Sequence, residues 1–240
     1  MKLTLRVQSY AFACLLGSII AVPHAAASGL QIAPVTLTLQ GTQNADGIWL
    51  SNEGDNAINA QVRVYRWTQS GFADQLSSSQ GLAISPPMLA LAPGERQLIR
   101  VIRTGPPSGQ VESAYRLSID ELPPPKLQRN KLQFVLRYSV PVFIQPVTDA
   151  QASAKLQWKL QHIDGNTFLE VNNQGNSHAQ LSAATLIGAS GTRIAITPGL
   201  LGYVLPGSTM RWILSPSANG THHGGKVEVT INGQKTIQDL

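Results

Sequence analysis

The sequence has few of the residues and motifs on which cross-linking or catalysis depend. Cysteine occurs once in 240 residues, as Cys14, so a disulfide within the chain is excluded and the fold must be stabilised by its core. There is no Gly-rich phosphate loop, no Gly-x-Ser-x-Gly motif and no cysteine after position 14 to act as a nucleophile. We therefore expect neither an enzyme nor a bound cofactor.

Metal-binding residues are also poorly grouped. His222 and His223 are adjacent in a Gly-rich segment that reads as a surface turn. Neighbouring side chains on a strand point to opposite faces, so this pair cannot easily share a metal ion. The adjacent carboxylates of Asp120 and Glu121 diverge for the same reason. The sequence predicts no metal site.

Long apolar runs are missing except near the N-terminus. Lys2 and Arg6 precede a mostly apolar run, Ala11–Val22, and Ala25–Ala27 then provide small residues. The run is too short to span a bilayer comfortably, and this order is that of a secretory signal peptide. We predict that residues 1–27 are removed and that the mature chain starts at Ser28.

The mature chain has 213 residues and a mild charge. It keeps 16 basic and 13 acidic residues, a net charge of +3, which is too small to indicate nucleic-acid binding. Its length suits two domains of about 100 residues each. Short alternating runs separated by Gly, Pro, Asn and Ser continue to the C-terminus, without a convincing amphipathic helix. This pattern predicts an all-β protein built from β-sandwiches.

A faint internal repeat divides the chain. Asn-x-Gly at Asn52 and again at Asn173 precedes an alternating run and predicts a hairpin-type turn. Pro-Gly at Pro93 and again at Pro206 comes before a further run and predicts a type II turn. Two turn types in the same order predict duplicated immunoglobulin-like sandwiches. We place the domains at 28–146 and 147–240, joined by a short linker that sets them at an angle with a cleft between them.

The stretch 132–146 stands out at the end of the first domain. It alternates large apolar with other residues, follows a basic, Pro-rich loop and contains no Gly, which predicts a strand. Its bulky face consists of Leu132, Phe134, Leu136 and Tyr138. The preceding strand, 112–122, should pair with it antiparallel. Such a face could serve either the core or a partner.

Two arginines offer binding chemistry near this strand. Arg116 and Arg137 fall on the faces opposite Leu117 and Leu136. If they meet beside the cleft between the domains, they form a paired cationic site suited to a carboxylate. The alternative is that each is an ordinary charge facing solvent.

These segments resemble a known family. Glu-Ser-Ala-Tyr-Arg-Leu at 112–117, Pro-Gly-Glu-Arg-Gln at 93–97 and Arg-Tyr-Ser-Val-Pro-Val-Phe at 137–143 resemble the periplasmic pilus-assembly chaperones of chaperone–usher systems. The resemblance implies two immunoglobulin-like domains in the periplasm that bind pilin subunits and deliver them to an outer-membrane usher. The last strand of the first domain fills the groove of an incomplete subunit, which is donor-strand complementation.

The resemblance also implies roles for single residues. Leu132, Phe134, Leu136 and Tyr138 are the expected donated side chains, and Glu121 matches an acidic residue that links the domains. The better-known branch grips the subunit's terminal carboxylate with a first-strand arginine and a last-strand lysine, but here Thr36 and Pro141 stand at those places. The motifs Tyr-Arg-Leu and Arg-Tyr-Ser-Val-Pro-Val-Phe instead resemble the archaic, spore-coat-like (Csu-type) branch. We therefore expect Arg116 to bind the subunit's terminal carboxylate, with Arg137 as second choice.

Two further points stay open at this stage. An exported immunoglobulin-like module that binds carbohydrate or acts as an adhesin is the main alternative, with the four tryptophans as a sugar platform. An exposed apolar strand could also pair with a second copy, so self-association of the free protein is a further possibility.

Overall fold

A computed structural model describes residues 29–106, 109–123, 135–147, 152–218 and 225–240. The first half of this described chain forms ten strands in two sheets. They are β1 (Leu30–Ala33), β2 (Leu37–Leu39), β3 (Ala45–Asn52), β4 (Ile58–Ser70), β5 (Ala73–Ser78), β6 (Leu82–Ser85), β7 (Met88–Leu91), β8 (Arg96–Arg103), β9 (Ser113–Leu122) and β10 (Arg137–Ile144).

The second half forms seven strands in two further sheets. They are β11 (Leu156–Ile163), β12 (Asn166–Asn173), β13 (Ala179–Ile187), β14 (Arg193–Val204), β15 (Thr209–Ile213), β16 (Lys226–Ile231) and β17 (Gln234–Asp239), with one 3-10 turn at Pro216–Ala218. Nearly all of the regular structure is therefore β, and the prediction of an all-β protein with two immunoglobulin-like sandwiches is confirmed.

Each sandwich closes around its own apolar core. In the first, β1-β3-β8-β6 packs against β2-β10-β9-β4-β5, and β7 also pairs with β4. In the second, β11-β12-β15 packs against β14-β13-β16-β17. Inward-facing residues alternate along each strand, as in β9, where Leu117 and Ile119 are fully buried while Arg116 and Ser118 face outward. The domain limits at 146 and 147 fall between β10 and β11, and their exact position stays a prediction.

The repeat seen in the sequence corresponds to one hydrogen-bond arrangement made twice. Asn52 is fully buried, and its Nδ2 donates to the carbonyls of Asn56 and Leu91, at 2.8 and 3.0 Å. Asn173 is equally buried and donates to Ser177 and Val204 at 2.8 and 3.0 Å. Each buried Asn side chain therefore pairs its amide with two backbone carbonyls.

The same two asparagines hold the Pro-Gly turns. The amide of Gly94 donates to the carbonyl of Asn52, and that of Gly207 to the carbonyl of Asn173, both at 2.8 Å. Gly94 and Gly207 have φ of 75° and 72°, and i+3 to i bonds close both turns. The type II prediction is confirmed. The hairpin prediction at Asn52 and Asn173 is wrong, because each turn crosses from one sheet to the other and its flanking strands are not paired.

Candidate functional site

An aromatic cluster joins the two sandwiches. Trp67 and Phe143 of the first domain meet Tyr203 of the second, with ring centroids 5.3 Å (Trp67–Tyr203) and 6.0 Å (Phe143–Tyr203) apart. All three side chains are buried, with Ala114 and Leu205 completing the cluster. Strands β4, β9 and β10 present these residues on the outer face of their sheet, away from the first domain's core. The second domain covers this end of the face, and the rest of it borders the cleft.

Gln69 fastens the same contact through its amide. Its Nε2 donates to the carbonyl of Tyr203 at 2.9 Å, and its Oε1 accepts from the amide of Leu205 at 2.8 Å. At the end of the same hairpin, the ring of Phe72 lies 3.9 Å from the guanidinium carbon of Arg211. The long β4–β5 hairpin thus reaches across to the second domain.

A hydrogen-bonded pair, Glu112 and His178, forms the third link. Glu112 comes directly before β9, and its carboxylate lies 2.8 Å from Nδ1 of His178. The imidazole of His178 also stacks on Phe143, with centroids 3.5 Å apart. Glu112 accepts two further bonds, from the hydroxyl of Ser177 and the amide of His178, both at 3.1 Å. The pair therefore fixes the second domain against both β9 and β10.

The expected role of Glu121 as a link between the domains stays a prediction. Glu121 lies at the far end of β9 from Glu112, where its amide donates to the carbonyl of Leu136 and its carboxylate accepts from the amide of Leu136. It thus holds the start of β10. Strand β9 spans ten residues, so its two ends lie about 30 Å apart, and Glu112, just before its other end, contacts the second domain.

Arg116 lies next to the aromatic cluster. Its guanidinium carbon is 3.7 Å from the ring centre of Trp67 and 5.3 Å from that of Tyr203. Burial lowers the pKa of Arg116, against the opposing influence of Asp74 and Tyr203, but arginine remains charged throughout the physiological range. No hydrogen bond or ion pair to the guanidinium is found within the described residues. Arg116 is therefore a half-buried cation with donors to spare.

Arg137 does not join Arg116. It pairs across the strands with Asp120, four residues along β9 from Arg116, a separation of about 13 Å. Its Nε binds the Asp120 carboxylate, which also accepts from Nη2 of Arg63 at 2.7 Å. The two arginines share the outer face of the sheet but do not form one site.

The inward-facing side chains of β10 become more exposed toward the N-terminal end of the strand. Val142 and Val140 are 0% and 4% exposed and belong to the first core, whereas Leu136, on the same face, is 37% exposed. Between them, Tyr138 is half-buried against that core and donates its hydroxyl to the carbonyl of Leu30 at 2.8 Å. Of the expected donor residues, Leu132 and Phe134 lie outside the described residues.

Other features of the described chain add no competing site. No group of three or more His, Cys, Asp and Glu residues that could hold a metal occurs there, and His222 and His223 lie outside it. Within the same ranges, no helix has the length and apolar character needed to cross a bilayer. Trp67 and Trp158 are buried and Arg96 stacks 4.0 Å over Trp49, which leaves these three rings poorly placed as a sugar platform.

Comparison with known proteins identifies the family. Residues 29–149 match the family described as "Pili and flagellar-assembly chaperone, PapD N-terminal domain". The chain belongs to this family of pilus-assembly chaperones. The match contains the whole first sandwich, including Arg116, Trp67 and β10. The family is one of non-enzymatic chaperones.

Individual relatives extend the likeness over both domains. Chaperone protein PmfD of Proteus mirabilis strain HI4320 is 24% identical over 182 residues, which cover 72% of this chain and 69% of PmfD. The CsuC–CsuE chaperone–tip adhesion subunit complex of archaic Csu pili from Acinetobacter baumannii contains a chain that is 26% identical, with a TM-score of 0.70 and coverage of 88% and 97%. A chain of the Salmonella enterica SafA pilin–SafB chaperone complex shares the fold at 18% identity, with a TM-score of 0.63 and coverage of 89% and 96%.

Two positions compared with the better-known branch in the sequence analysis lie near Arg116 and the second domain. Pro141 stands where that branch has its lysine, and in the sheet Arg116 lies directly opposite Pro141. Thr36, at the place of the first-strand arginine, lines a polar cavity of about 410 Å³ with Gln145, Glu112 and His178. Arg116 of β9 is therefore the cation beside Pro141 in the sheet.

Several residues of this site were missed by reading the sequence. Glu112, His178, Gln69 and Tyr203 lie in separate elements, and nothing in their local pattern connects them. One signal was available in the repeat, since His178 follows Asn173 by five residues, where the first copy has Ala57. A large polar residue at a position that holds alanine in the other copy indicates a role outside its own sandwich.

Proposed function

We propose that this chaperone holds an incomplete pilin subunit in the periplasm by lending it the start of β10, and that Arg116 receives the subunit's terminal carboxylate. One observation supports this most directly: an unpaired strand edge and an unpaired arginine lie together at the cleft. Delivery of the subunit to an outer-membrane usher belongs to the same proposal and follows from family membership.

The open edge is a property of the sheet order. Residues Arg137–Pro141 pair with β9 on one side, while on the other side β2 pairs only with Val142–Ile144. Within the described strands, five residues of β10 therefore have a free backbone edge. Such an edge is a hazard in a free protein and a ready template for strand addition. Self-association of the free chaperone through this edge is part of the proposal.

Apolar side chains supply most of the affinity. Leu136 projects from the free part of the chain, and the alternation that includes it predicts Leu132 and Phe134 on the same side. Tyr138 stands at the border, where its ring extends the chaperone's own core toward the subunit. Burying four such side chains contributes roughly 6–12 kcal/mol before ordering costs.

Arg116 contributes less energy but more selectivity. A charge-assisted hydrogen bond to a carboxylate contributes about 1.5–3 kcal/mol. The ring of Trp67 holds the guanidinium in place, so little of this is lost in ordering the side chain. Arg137 lies opposite Asp120, about 13 Å along β9 from Arg116, too far to share one carboxylate with it, and we assign the anchor to Arg116 alone.

The position of the anchor fixes the direction of the subunit strand. Arg116 lies opposite Pro141, at the inner end of the free edge. A subunit strand that ends at Arg116 must therefore place its earlier residues beside Ser139 and then Arg137. It runs parallel to β10.

Co-expression with a pilin subunit tests this function. The unmodified chaperone should protect the subunit from proteolysis and co-purify with it. Leu136→Asp and Arg116→Ala should each reduce the co-purified subunit at least tenfold with the melting temperature of the chaperone little changed. Arg100→Ala, on the exposed face of β8, is the matched control and should have no effect. Full capture by both variants would disprove the proposal.

A further inference from the structure

Asp120 holds two guanidinium groups on the outer face of the β10-β9-β4 sheet. Arg63 of β4 donates Nη2 to Oδ2 at 2.7 Å, Arg137 of β10 donates Nε to Oδ1, and Ser118 donates its hydroxyl to Oδ2 at 3.1 Å. The carboxylate is almost fully buried beneath them. Three elements therefore converge on one acid, and the cluster of Arg63, Asp120 and Arg137 keeps a net charge of +1.

The two arginines present unused donors on the outer face of the sheet. The Arg137 side chain is 71% exposed and that of Arg63 is 43% exposed. Arg137 uses only Nε within the described structure, which leaves its two Nη groups for a further acceptor. Asp120 thus orients these cations without exhausting their hydrogen-bonding capacity.

The cluster stands in line with the proposed anchor. Arg116, Ser118 and Asp120 occupy alternate positions of β9 on one face, and Ser139 pairs with Ser118 between the two charged sites. The small serines leave this strip unobstructed. A subunit strand lying on the free edge of β10 passes beside Ser139 and Arg137 before it ends near Arg116.

We propose that the Arg63–Asp120–Arg137 cluster is a second anion contact for the pilin subunit, which recognises an acidic side chain about four residues before the subunit's carboxyl terminus. The inference rests on the proposed function, because it takes the strand direction and the anchor from it. The spacing follows from geometry: four residues of extended chain cover about 13 Å, the separation of Arg116 and Asp120 along β9. An even spacing also puts the acidic side chain on the same face as the arginines.

Synthetic peptides provide the test. Nine-residue Val/Thr peptides with a free carboxyl terminus and an N-terminal fluorophore carry one glutamate at the second, third, fourth, fifth or sixth position before the last residue. Their binding to the full mature chain is measured by fluorescence anisotropy at low ionic strength. Glutamate at the fourth position should bind about 2- to 5-fold more tightly than glutamine there, and glutamate at the third and fifth positions should give no gain.

Variants assign the effect to the cluster. Arg137→Gln should abolish the tighter binding of the glutamate peptide, while Asp120 still accepts hydrogen bonds from Arg63 and Ser118. Arg137→Lys should preserve part of this difference in affinity. Arg100→Gln, on the other sheet, should preserve all of it. The second contact is disproved if glutamate at the fourth position binds no more tightly than glutamine, or if its tighter binding persists in Arg137→Gln.

A peptide with an amidated C-terminus separates the two proposals. Amidation should weaken binding to the unmodified chain and leave binding to Arg116→Ala unchanged. If amidation matters but the position of glutamate does not, the anchor stands and only the second contact fails. If peptides with a free carboxylate fail to bind or ignore amidation, the anchor is disproved, and the second contact with it.

Discussion

Nδ1 of His178 donates a hydrogen to both carboxylate oxygens of Glu112, at 2.8 and 2.9 Å, across the junction of the two sandwiches. Glu112 is almost completely buried and its amide also donates to the carbonyl of Asn176 at 2.9 Å. A buried carboxylate with several donors resists displacement, because removing one partner leaves a charge without compensation. This pair therefore helps to fix the position of the second domain against the first.

Replacing Glu112 should loosen the junction. Glu112→Ala removes the acceptor for His178, Ser177 and the second domain's backbone, and we expect it to lower the free energy of unfolding by about 1–3 kcal/mol. Calorimetry should then resolve two transitions where the unmodified protein unfolds in one. Glu53→Ala, an exposed carboxylate on the same domain, is the control. A single unshifted transition in Glu112→Ala would show that the aromatic cluster and the β4–β5 hairpin couple the domains without Glu112.

The ionised carboxylate of Asp120 should make the free energy of unfolding depend on pH in the acidic range. Burial raises the pKa of Asp120, but the hydrogen bonds from Arg63, Arg137 and Ser118 outweigh it and hold the pKa below its ordinary value. Because the folded pKa is lower than the unfolded one of about 3.9, this stabilisation is complete above that value and is lost as the pH falls through the folded pKa.

Asp120→Asn should therefore destabilise the protein by about 1–3 kcal/mol at pH 7 and by much less at pH 2. Urea unfolding at the two pH values measures the difference. Asp55→Asn, an exposed residue of the first domain, should show no such change. An Asp120→Asn variant as stable as its parent at pH 7 contradicts the role given to this cluster.

The buried asparagines should be equally sensitive in both domains. Asn52→Asp and Asn173→Asp keep the shape but replace the donating amide with a carboxylate that faces two carbonyls. We expect each to cost about 3 kcal/mol or more, measured by urea unfolding. Asn56→Asp, whose side chain is exposed next to Asn52, is the control. Unequal losses at Asn52 and Asn173 would mean that the two copies of the turn differ in importance.

Local pattern predicted the parts of this molecule that local chemistry determines. The alternation around Arg116 and Leu117 predicted the strand at 112–122 and its two faces, and Pro-Gly at 93–94 and 206–207 predicted the turns, since both depend on neighbours in sequence. The Asn turns were assigned to hairpins because the sequence does not show which sheet the next strand joins.

Contacts between distant elements could not be predicted in this way. The sequence did not identify Glu112, which lies just before β9 and contacts His178 across the domain junction. The alternation of β9 predicted the face that Arg116 occupies, but its stacking on Trp67 and its separation from Arg137 depend on the register of three strands. Register follows from the assembled sheet and is not visible in any one segment.

Amide hydrogen exchange across β10 tests the lending of this strand most directly. In the free chaperone, a peptide covering residues 135–142 should exchange readily, because its outer edge is unpaired. In a purified complex with a pilin subunit, exchange in that peptide should slow at least tenfold, while peptides from β8 remain unchanged. Unchanged exchange in residues 135–142, with protection elsewhere on the chaperone, would show that the subunit binds another surface.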